Sequence, residues 1–483
     1  MSGNWDFLRK KKKITESEIA KNQTTITKIM KATGWSQQAV IEQVAAARSR
    51  IPKIGFKGYL NCEMYNVPVE QQQAVYDAYI ENRERLKKSY VEAVAAKTGW
   101  TYEEAEEHML AARKDHGVSF REYNKWNLFN FADEDIEHIR DDKRRQKEER
   151  KLDGQNEARE DREAAIEKTM AALGIDREAA IAKMQETGER TGCSMHEYGL
   201  YKLWEIDEDT QNSMFFMSCS KQLTKKYNID KVFIDILFDK EASNEFFDKY
   251  MKRAWCVNTK ISEDDFVEKF KNSKKVFYKP IDGHHGDGAA PFEITADNIH
   301  DVYRTLSGYS EGVVEEFVVQ HHKMTELAPA AVNTVRVATI SSKTHPVTED
   351  GKHIDIAYAS LKMAGVDSVV DNLVNGGMVA GADLETGRLI TAAIDIKGNT
   401  YEQHPATGTQ IRGFEIPYYQ DIKKLVEEVY EDKGIEGYLG WDIAITEDGP
   451  IIIEINTTPG VILLQYPFVP ERIGMKQLMT KYL

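Results

Sequence analysis

The spacing of apolar residues changes near residue 230, and this change constrains the fold more than any other feature. Before about residue 225, apolar residues recur at helical intervals between glycines and capping residues. Beyond about residue 230, short runs of β-branched and aromatic residues alternate with Gly and Asp. The first half contains a weak internal repeat. In each copy a helix ends at a glycine, a capping residue opens a second helix, and a glycine or extended turn leads to a tyrosine. Copy one runs from Thr33-Gly34-Trp35-Ser36 to Phe56-Lys57-Gly58-Tyr59. Copy two runs from Thr98-Gly99-Trp100-Thr101 to Gly117-Val118-Ser119-Phe120-Arg121-Glu122-Tyr123. Copy three runs from Leu173-Gly174-Ile175-Asp176 to Gly192-Cys193-Ser194-Met195-His196-Glu197-Tyr198. Gly34, Gly99 and Gly174 read as left-handed helix stops. Thr101 with Glu104, Ser119 with Glu122 and Ser194 with Glu197 fit capping boxes, in which a hydroxyl and a carboxylate satisfy orphan N–H groups. Trp35, Trp100, Tyr123 and Tyr198 read as core, and the mixed-sign run Glu137–Lys168 as an exposed helix or charged linker. The expected division is 1–150 for two repeats with the charged linker after them, 151–228 for the third, and 229–483 for the strand-rich part.

The 483 residues allow roughly three domains at about 150 residues each. The net charge of −15 opposes nucleic-acid binding, which depends on neutralising phosphates; the basic run Arg9–Lys13 reads as a solvated tail. Cys62, Cys193, Cys219 and Cys256 are scattered, which fits neither a disulfide framework nor a zinc ribbon. No apolar run approaches the roughly 18–20 residues of a membrane-spanning helix, and residues 1–13 lack an apolar signal core. The expected compartment is the cytoplasm.

In the second half, Val276–Lys279, Val313–Val319, Asn333–Ile340, His353–Lys362, Gly377–Ala382, Leu389–Ile394, Leu439–Thr446 and Ile451–Asn456 read as strands. Gly387 and Asp448-Gly449 read as hairpin turns, and Gln420–Lys433 as a helix stopped by Gly434. The expected class is α+β with mostly antiparallel pairing, preceded by an all-α region.

Neither a Walker loop nor a Rossmann fingerprint is present. Instead a lysine leaves a strand and a glycine-rich loop follows, in Lys279-Pro280-Ile281-Asp282-Gly283-His284-His285-Gly286-Asp287-Gly288. Glycines let backbone N–H groups turn onto phosphate oxygens, and a lysine adds a mobile charge; a surface turn beside a solvated lysine is the competing reading. Val313-Val314-Glu315-Glu316-Phe317-Val318-Val319-Gln320 sets two carboxylates in an apolar strand. It reads either as an exposed edge or as an adenine hinge whose main chain near Phe317 and Val318 meets the base. The last hairpin, Gly440–Asn456, is the strongest piece. Turned about Asp448, it places Asp442 opposite Glu454, with Asn456 on the same face. Opposed carboxylates repel, and a hard cation relieves the repulsion. This all-oxygen set suits Mg²⁺ bridging nucleotide phosphates.

These pieces stand in the order of the ATP-grasp superfamily of ligases. The chain resembles its sugar-transfer-associated, alpha-L-glutamate-ligase-related group. Phe238-Asp239-Lys240, Tyr278-Lys279-Pro280, Glu315-Glu316-Phe317, Asn333-Thr334-Val335-Arg336-Val337, Asp371-Asn372 with Gly376-Gly377, His404-Pro405 and the last hairpin carry the likeness, over roughly residues 185–483. The third repeat resembles a helical unit common before the core of that group. The resemblance implies an ATP-grasp domain over 229–483. It implies that Lys240 and Lys279 hold ATP phosphates, under a lid at Gly283, His284, Gly286 and Gly288. Glu315, Glu316, Phe317 and Val318 would meet adenine; where a carboxylate for the ribose is usual, Gln320, His321 and His322 stand instead, with Gln320 preferred for that role. Arg336 would touch the γ-phosphate and the acyl phosphate. Asp442, Glu454 and Asn456 would ligate one or two Mg²⁺. Arg336, Asp371, Asn372, Gly376 and Gly377 would border the acceptor. Lys362 reads as a phosphate contact or a solvent-facing lysine, and His284 and His285 as candidates for taking a proton from the amine. The implied reaction joins a carboxylate to an amine through an acyl phosphate, on a saccharide precursor, amino acid or peptide. A peptide, carrier or protein at the helical repeats is the expected partner. The rival readings are an ATP-grasp phosphotransferase and a nucleotide-binding scaffold or sensor.

Overall fold

The computed structural model describes residues 14–281, 288–366 and 370–483. The chain divides into two compact units, Met1–Lys143 and Arg144–Leu483, with the division inside the helix Ile136–Leu173.

The first unit is helical. The helices Gln23–Thr33 and Gln72–Thr98 stop at Gly34 and Gly99, whose φ angles of +72° and +75° are strained for any side chain. Capping boxes form at Thr101/Glu104 and Ser119/Glu122. Ile26, Val40, Val44, Phe56 and Tyr59 share one core. Trp35 only packs against that core, and Trp100 stacks on His108 at 4.2 Å between ring centroids, so neither indole is fully buried. Each indole follows a helix-stopping glycine and is only partly buried.

The second unit holds two antiparallel sheets. The strands are β1 (Trp255–Val257), β2 (Lys275–Pro280), β3 (Ala290–Glu293), β4 (Gly312–Glu316), β5 (Thr334–Ser341), β6 (Ile354–Met363), β7 (Met378–Ala382), β8 (Ala393–Asp395), β9 (Thr400–Tyr401), β10 (Gly437–Thr446) and β11 (Gly449–Asn456). The small sheet has the order β1-β4-β2-β3 and the large one β11-β10-β5-β6-β7-β8-β9. The expected strand Leu389–Ile394 is shorter: Leu389 makes only an isolated bridge to Ala382, and the strand begins at Ala393. There the Thr391 hydroxyl accepts the Gly381 N–H and replaces the ladder bond. The strand reading from residue 230 also passes over the helices Lys231–Phe238, Lys240–Met251, Glu263–Phe270 and Ile299–Ser307. Two carry recognisable starts, with Asp239 and Ser262 capping Ala242 and Asp265.

The large sheet is covered differently on its two faces. Val335, Val337, Leu361, Leu439 and Trp441 pack with Phe247, Tyr250, Met324, Ile422 and Val426 from the helices Lys240–Met251, His322–Leu327 and Tyr419–Lys433. On the other face, Ala338, Ile340, Tyr358 and Tyr438 share a core with Tyr198, Tyr201, Phe215, Phe216 and Leu223. The third helical segment, with its capping box at Ser194/Glu197, is thus part of the layer built on the sheet. Among the described residues, no helix is long and apolar enough to cross a membrane.

Candidate functional site

That second face of the large sheet changes character along its strands. Ala338, Ile340, Tyr358 and Tyr438 lie under the helices. Further along the same face stand Arg336, Ser360 and Asp442, paired across the sheet as Asp442–Arg336–Ser360. Glu454 completes the row by pairing with Asp442 from β11.

That last pairing depends on an irregularity. The loop holds two residues, so near the tip Thr446 pairs with Gly449 and Ile443 with Ile452. Continued unchanged, this register sets Asp442 opposite Ile453. A bulge between Asp442 and Ile443 inserts one residue in β11 and re-aims Glu454 at Asp442. A turn centred on Asp448 reaches the same pair without the bulge.

Arg336 grips Asp442 with two parallel bonds, Nε to Oδ1 at 2.7 Å and Nη2 to Oδ2 at 2.8 Å. Lys362 adds its ammonium at 3.1 Å and Asn456 its amide at 3.4 Å, both to Oδ2. Burial pushes the Asp442 carboxyl up, but Arg336 and Lys362 outweigh it and hold it down at about 2. Burial opposes the Arg336 charge, and Asp442 overcomes this and raises its pKa. Glu454 differs: its side chain reaches solvent, and no described residue donates a hydrogen bond to it. Desolvation by the surrounding protein and the Asp442 charge push its carboxyl up. Gly440 makes room for the row, since a Cβ there would lie 3.3 Å from Pro459 Cα and 3.4 Å from Arg336 Cδ.

Asp371 reaches the cluster from a tight turn. It accepts the Thr334 N–H at 3.1 Å and the Thr334 hydroxyl, and pairs with Lys362 at 3.5 Å. Burial pushes its carboxyl up, against the pull of Lys362. Asn372 caps Val374, Gly376 adopts φ +90°, and a Cβ on Gly377 would strike Asp371 O at 2.5 Å. Four of the five expected acceptor residues, Asp371, Asn372, Gly376 and Gly377, thus form one closed turn, and the fifth, Arg336, stands on β5.

The small sheet supplies a second cluster. Lys279 and Glu315 share one of its faces, with Nζ 2.7 Å from Oε2. Arg253 donates to the same oxygen from Nε and Nη2 at 3.1 and 2.8 Å, and Asn244 to the other at 2.9 Å. Burial pushes Glu315 up, but Lys279 and Arg253 hold it at about 2. The Arg253 Nη1 donates to Ile452 O of β11 at 2.8 Å and joins the two sheets. Lys279 is close enough to pull the Glu454 carboxyl back toward its ionised form.

Other candidates stand apart. Lys240 Nζ donates to Pro280 O at 2.6 Å and Ile281 O at 3.1 Å, at the foot of the glycine-rich loop. Gly288 closes that loop at φ +71°, while Gly283, His284, His285 and Gly286 lie outside the described residues. Glu316 accepts from Ser273 at 2.8 Å, and the Phe317 ring lies 4.8 Å from Lys275 Nζ. Val318 is half-buried. The Gln320 amide bonds inside the chain, donating to Ala328 O and Ala331 O and accepting from Asn333. Lys362 is 11% exposed and ion-paired, which settles its two readings against a solvent-facing lysine. Arg253, Asn244 and Thr334 were not expected; only Thr334 carries a signal, at two residues from Arg336 on one strand.

The arrangement has chemical consequences. Asp442 and Glu454 oppose each other on the hairpin with Asn456 beside them, and Glu454 leaves an acceptor to which no described residue donates; with the Asn456 amide turned so that its oxygen replaces the nitrogen now facing Asp442, this set fits a hard divalent cation. Arg336, Lys362 and Lys279 surround the spot with positive charge suited to phosphate oxygens.

The chain is similar to D-alanyl-alanine synthetase A from Vibrio cholerae O1 biovar eltor str. N16961, at 15% identity over 51% of this chain and 64% of that one, with a TM-score of 0.31. It is similar to D-alanine–D-alanine ligase from Bacillus anthracis, at 14% identity over 55% of this chain and 73% of that one, TM-score 0.31. It is similar to N5-carboxyaminoimidazole synthetase from Staphylococcus aureus complexed with ADP, at 12% identity over 50% and 51% of the two chains, TM-score 0.28. The chain spans less than two thirds of the Vibrio and Staphylococcus proteins it matches. No curated protein matches the chain. The family model described as sugar-transfer associated ATP-grasp matches residues 219–471, just over half of the chain and the whole of both charged clusters, and the protein belongs to that family.

Proposed function

We propose that this protein is an ATP-dependent, ADP-forming ligase that joins a carboxylate to an amine. The reading rests on one observation: the two sheets bring Arg336, Lys362 and Lys279 around the oxygen donors Asp442, Glu454 and Asn456. Such a set needs no nucleophilic side chain. It holds charge where charge develops and aligns two reactants.

In the proposed reaction a substrate carboxylate oxygen attacks the γ-phosphorus of ATP. The bond from that phosphorus to the β–γ bridging oxygen breaks, and ADP leaves with its electron pair. The amine nitrogen then attacks the acyl carbon, the acyl C–O bond breaks, phosphate departs, and the nitrogen loses a proton. Arg336 and Lys279 balance the charge on the transferring phosphoryl group, and Lys240 steadies the root of the loop beside it. Asp442, Glu454 and Asn456 would hold Mg²⁺, which would supply further neutralisation of the phosphates. Asp371, with its turn Asn372–Gly377, borders the acceptor. The main chain at Phe317 and Val318 meets adenine. The fully engaged Gln320 amide serves better as a strut beneath the ribose than as a ligand to it. The helical first unit is the proposed place for a peptide, carrier or protein partner.

The test is a panel of amino acids, uronic acids, sugar-linked acids and short peptides, incubated with ATP at millimolar Mg²⁺. ADP release that requires one acid–amine pair, with the amide found by mass spectrometry and absent with Glu454→Gln, is the expected result. AMP as the nucleotide product overturns the acyl-phosphate route. ADP release with a phosphorylated product and no amide makes the protein a phosphotransferase.

A further inference from the structure

Where the hinge segment leaves the small sheet, the chain runs back along the tip of the β10–β11 hairpin. The His321 N–H donates to Ile445 O at 2.7 Å, and the His322 N–H donates to Glu447 Oε1 at 2.7 Å. These bonds gather two imidazoles and a carboxylate. His322 Nδ1 lies 3.0 Å from Glu447 Oε1, and His321 Nε2 lies 3.6 Å from Glu447 Oε2. The imidazole rings stack with centroids 4.2 Å apart. One ligand atom from each of the three residues falls within 4.8 Å of the others. Tyr418 holds the Glu447 main chain: its hydroxyl donates to the Glu447 backbone carbonyl at 3.0 Å, and its ring meets His321 edge-on.

We propose that His321, His322 and Glu447 form a site for a borderline transition-metal dication, Zn²⁺ foremost, separate from the oxygen donors assigned to Mg²⁺. Two nitrogen donors and one carboxylate are a ligand set of catalytic and regulatory zinc sites, leaving a fourth position for water. Mg²⁺ prefers oxygen ligands and keeps its own waters, so the two sites select by donor chemistry. His321 is held at 9% exposure by its neighbours, whereas His322 and Glu447 are 59% and 56% exposed and give the ion a way in. Tetrahedral bonds of about 2.0–2.1 Å place ligand atoms roughly 3.3 Å apart, so the exposed pair closes inward. One bond is lost: His321 Nδ1 now accepts the Lys323 N–H at 3.2 Å, and ligation through Nε2 moves the ring proton to Nδ1. The bound ion ties the hinge exit to the hairpin whose other end carries Asp442 and Glu454.

The experiment uses the full chain after chelator treatment, titrated calorimetrically with Zn²⁺ alone and then against millimolar Mg²⁺. One equivalent binding at micromolar concentration in both conditions is expected. The Co²⁺-loaded protein should show tetrahedral ligand-field bands without thiolate charge transfer, which excludes the four free cysteines. His322→Ala and Glu447→Gln, each checked for folding by metal-free thermal melting, should weaken Zn²⁺ by at least about 100-fold, the upper range for residues that only support a ligand. The His284→Ala/His285→Ala double variant should bind as the parent does. Absence of stoichiometric Zn²⁺ binding, unchanged affinity in both ligand variants, or loss in the double variant alone overturns the proposal.

Discussion

The large and small sheets bury the same kinds of side chain in opposite proportion. On the large sheet, Arg336 and Lys362 face Asp442, Asp371 and Glu454: two cations against three carboxylates. On the small sheet, Lys279 and Arg253 face Glu315 alone: two cations against one carboxylate. One cluster is short of positive charge by one and the other has one in excess. A magnesium nucleotide placed between them, as in the proposed function, gives its cation to the first and its phosphates to the second. The geometry differs in the same sense. Glu315 has both oxygens fully bonded and closes its cluster, whereas Glu454 receives no described donor and leaves its cluster open. Buried ion pairs add little net stability for their own sake, because desolvation cancels most of the attraction. An open carboxylate such as Glu454 is therefore evidence of a site, and a closed one such as Glu315 is evidence of a support, here one that holds Lys279 where it would meet the phosphates.

The comparison predicts that single changes separate activity from stability. Glu454→Gln keeps the shape of an exposed side chain and removes the open charge. ATP turnover should fall at least about 10³-fold, on the order of 4 kcal/mol in activation free energy, while the melting temperature stays within about 2 °C. Equal losses in both measurements would erase the distinction between site and support. Arg253→Met acts on the closed cluster. It leaves Glu315 with Lys279 and Asn244 only, and Ile452 O without its donor. Breaking one partner of a buried pair costs about 3–5 kcal/mol, so denaturant unfolding should shift by that order. Turnover at saturating ATP, measured below the new melting point, should change by less than about fivefold.

Acid should reach the closed cluster in a defined window. Glu315 ionises near 2 in the folded chain against 4.5 for an ordinary glutamate, because its cations outweigh its burial. Its folded-state pKa is depressed, so its contribution is fully present above about pH 4.5 and is lost as pH falls toward 2. The difference corresponds to on the order of 3 kcal/mol. Stability measured from pH 6 to pH 2.5 should fall more steeply for the parent than for Glu315→Gln, which starts lower and lacks this slope. Parallel curves would mean that Glu315 is not held as a carboxylate.

The two clusters were also unequally legible in the sequence. The Asp442–Glu454 pair could be read from one hairpin, because both residues lie within a local ladder. The means could not: Ile451, Ile452 and Ile453 are indistinguishable as residues, and nothing marks where β11 is bulged. The Lys279–Glu315 contact depends on β4 lying beside β2, and the order β1-β4-β2-β3 is not the order of the chain. Arg253 carries no signal, since a lone arginine after a helix says nothing of the strand edge it reaches. The helical stops and capping boxes were readable because they are satisfied within a few residues. That Tyr198 and Tyr201 share a core with Tyr358 and Tyr438 was not, since the pairs lie far apart in the chain. Local chemistry was visible, whereas contacts that depend on strand order and layer stacking were hidden.

The smallest effect tests the charge count itself. Asp371 is not among the proposed metal ligands, but it contributes one of the three carboxylates of the open cluster. Asp371→Asn keeps the amide-sized side chain and the oxygen that can accept from Thr334, and removes only the charge. If ligand geometry alone sets cation affinity, Mg²⁺ binding in the presence of nucleotide should not change. If the deficit of positive charge contributes, a unit charge removed at an effective dielectric of about 20 weakens it by on the order of 1 kcal/mol, or roughly fivefold. The effect should shrink with added salt less than that of an exposed carboxylate, because the group is buried among Lys362 and Thr334. A fivefold rise in the Mg²⁺ concentration for half-maximal turnover, with turnover restored at saturating Mg²⁺, is the expected outcome. Restoration fails if Asp371 instead holds the acceptor. The same titration therefore tells a residue that tunes the cation from one that positions the second substrate.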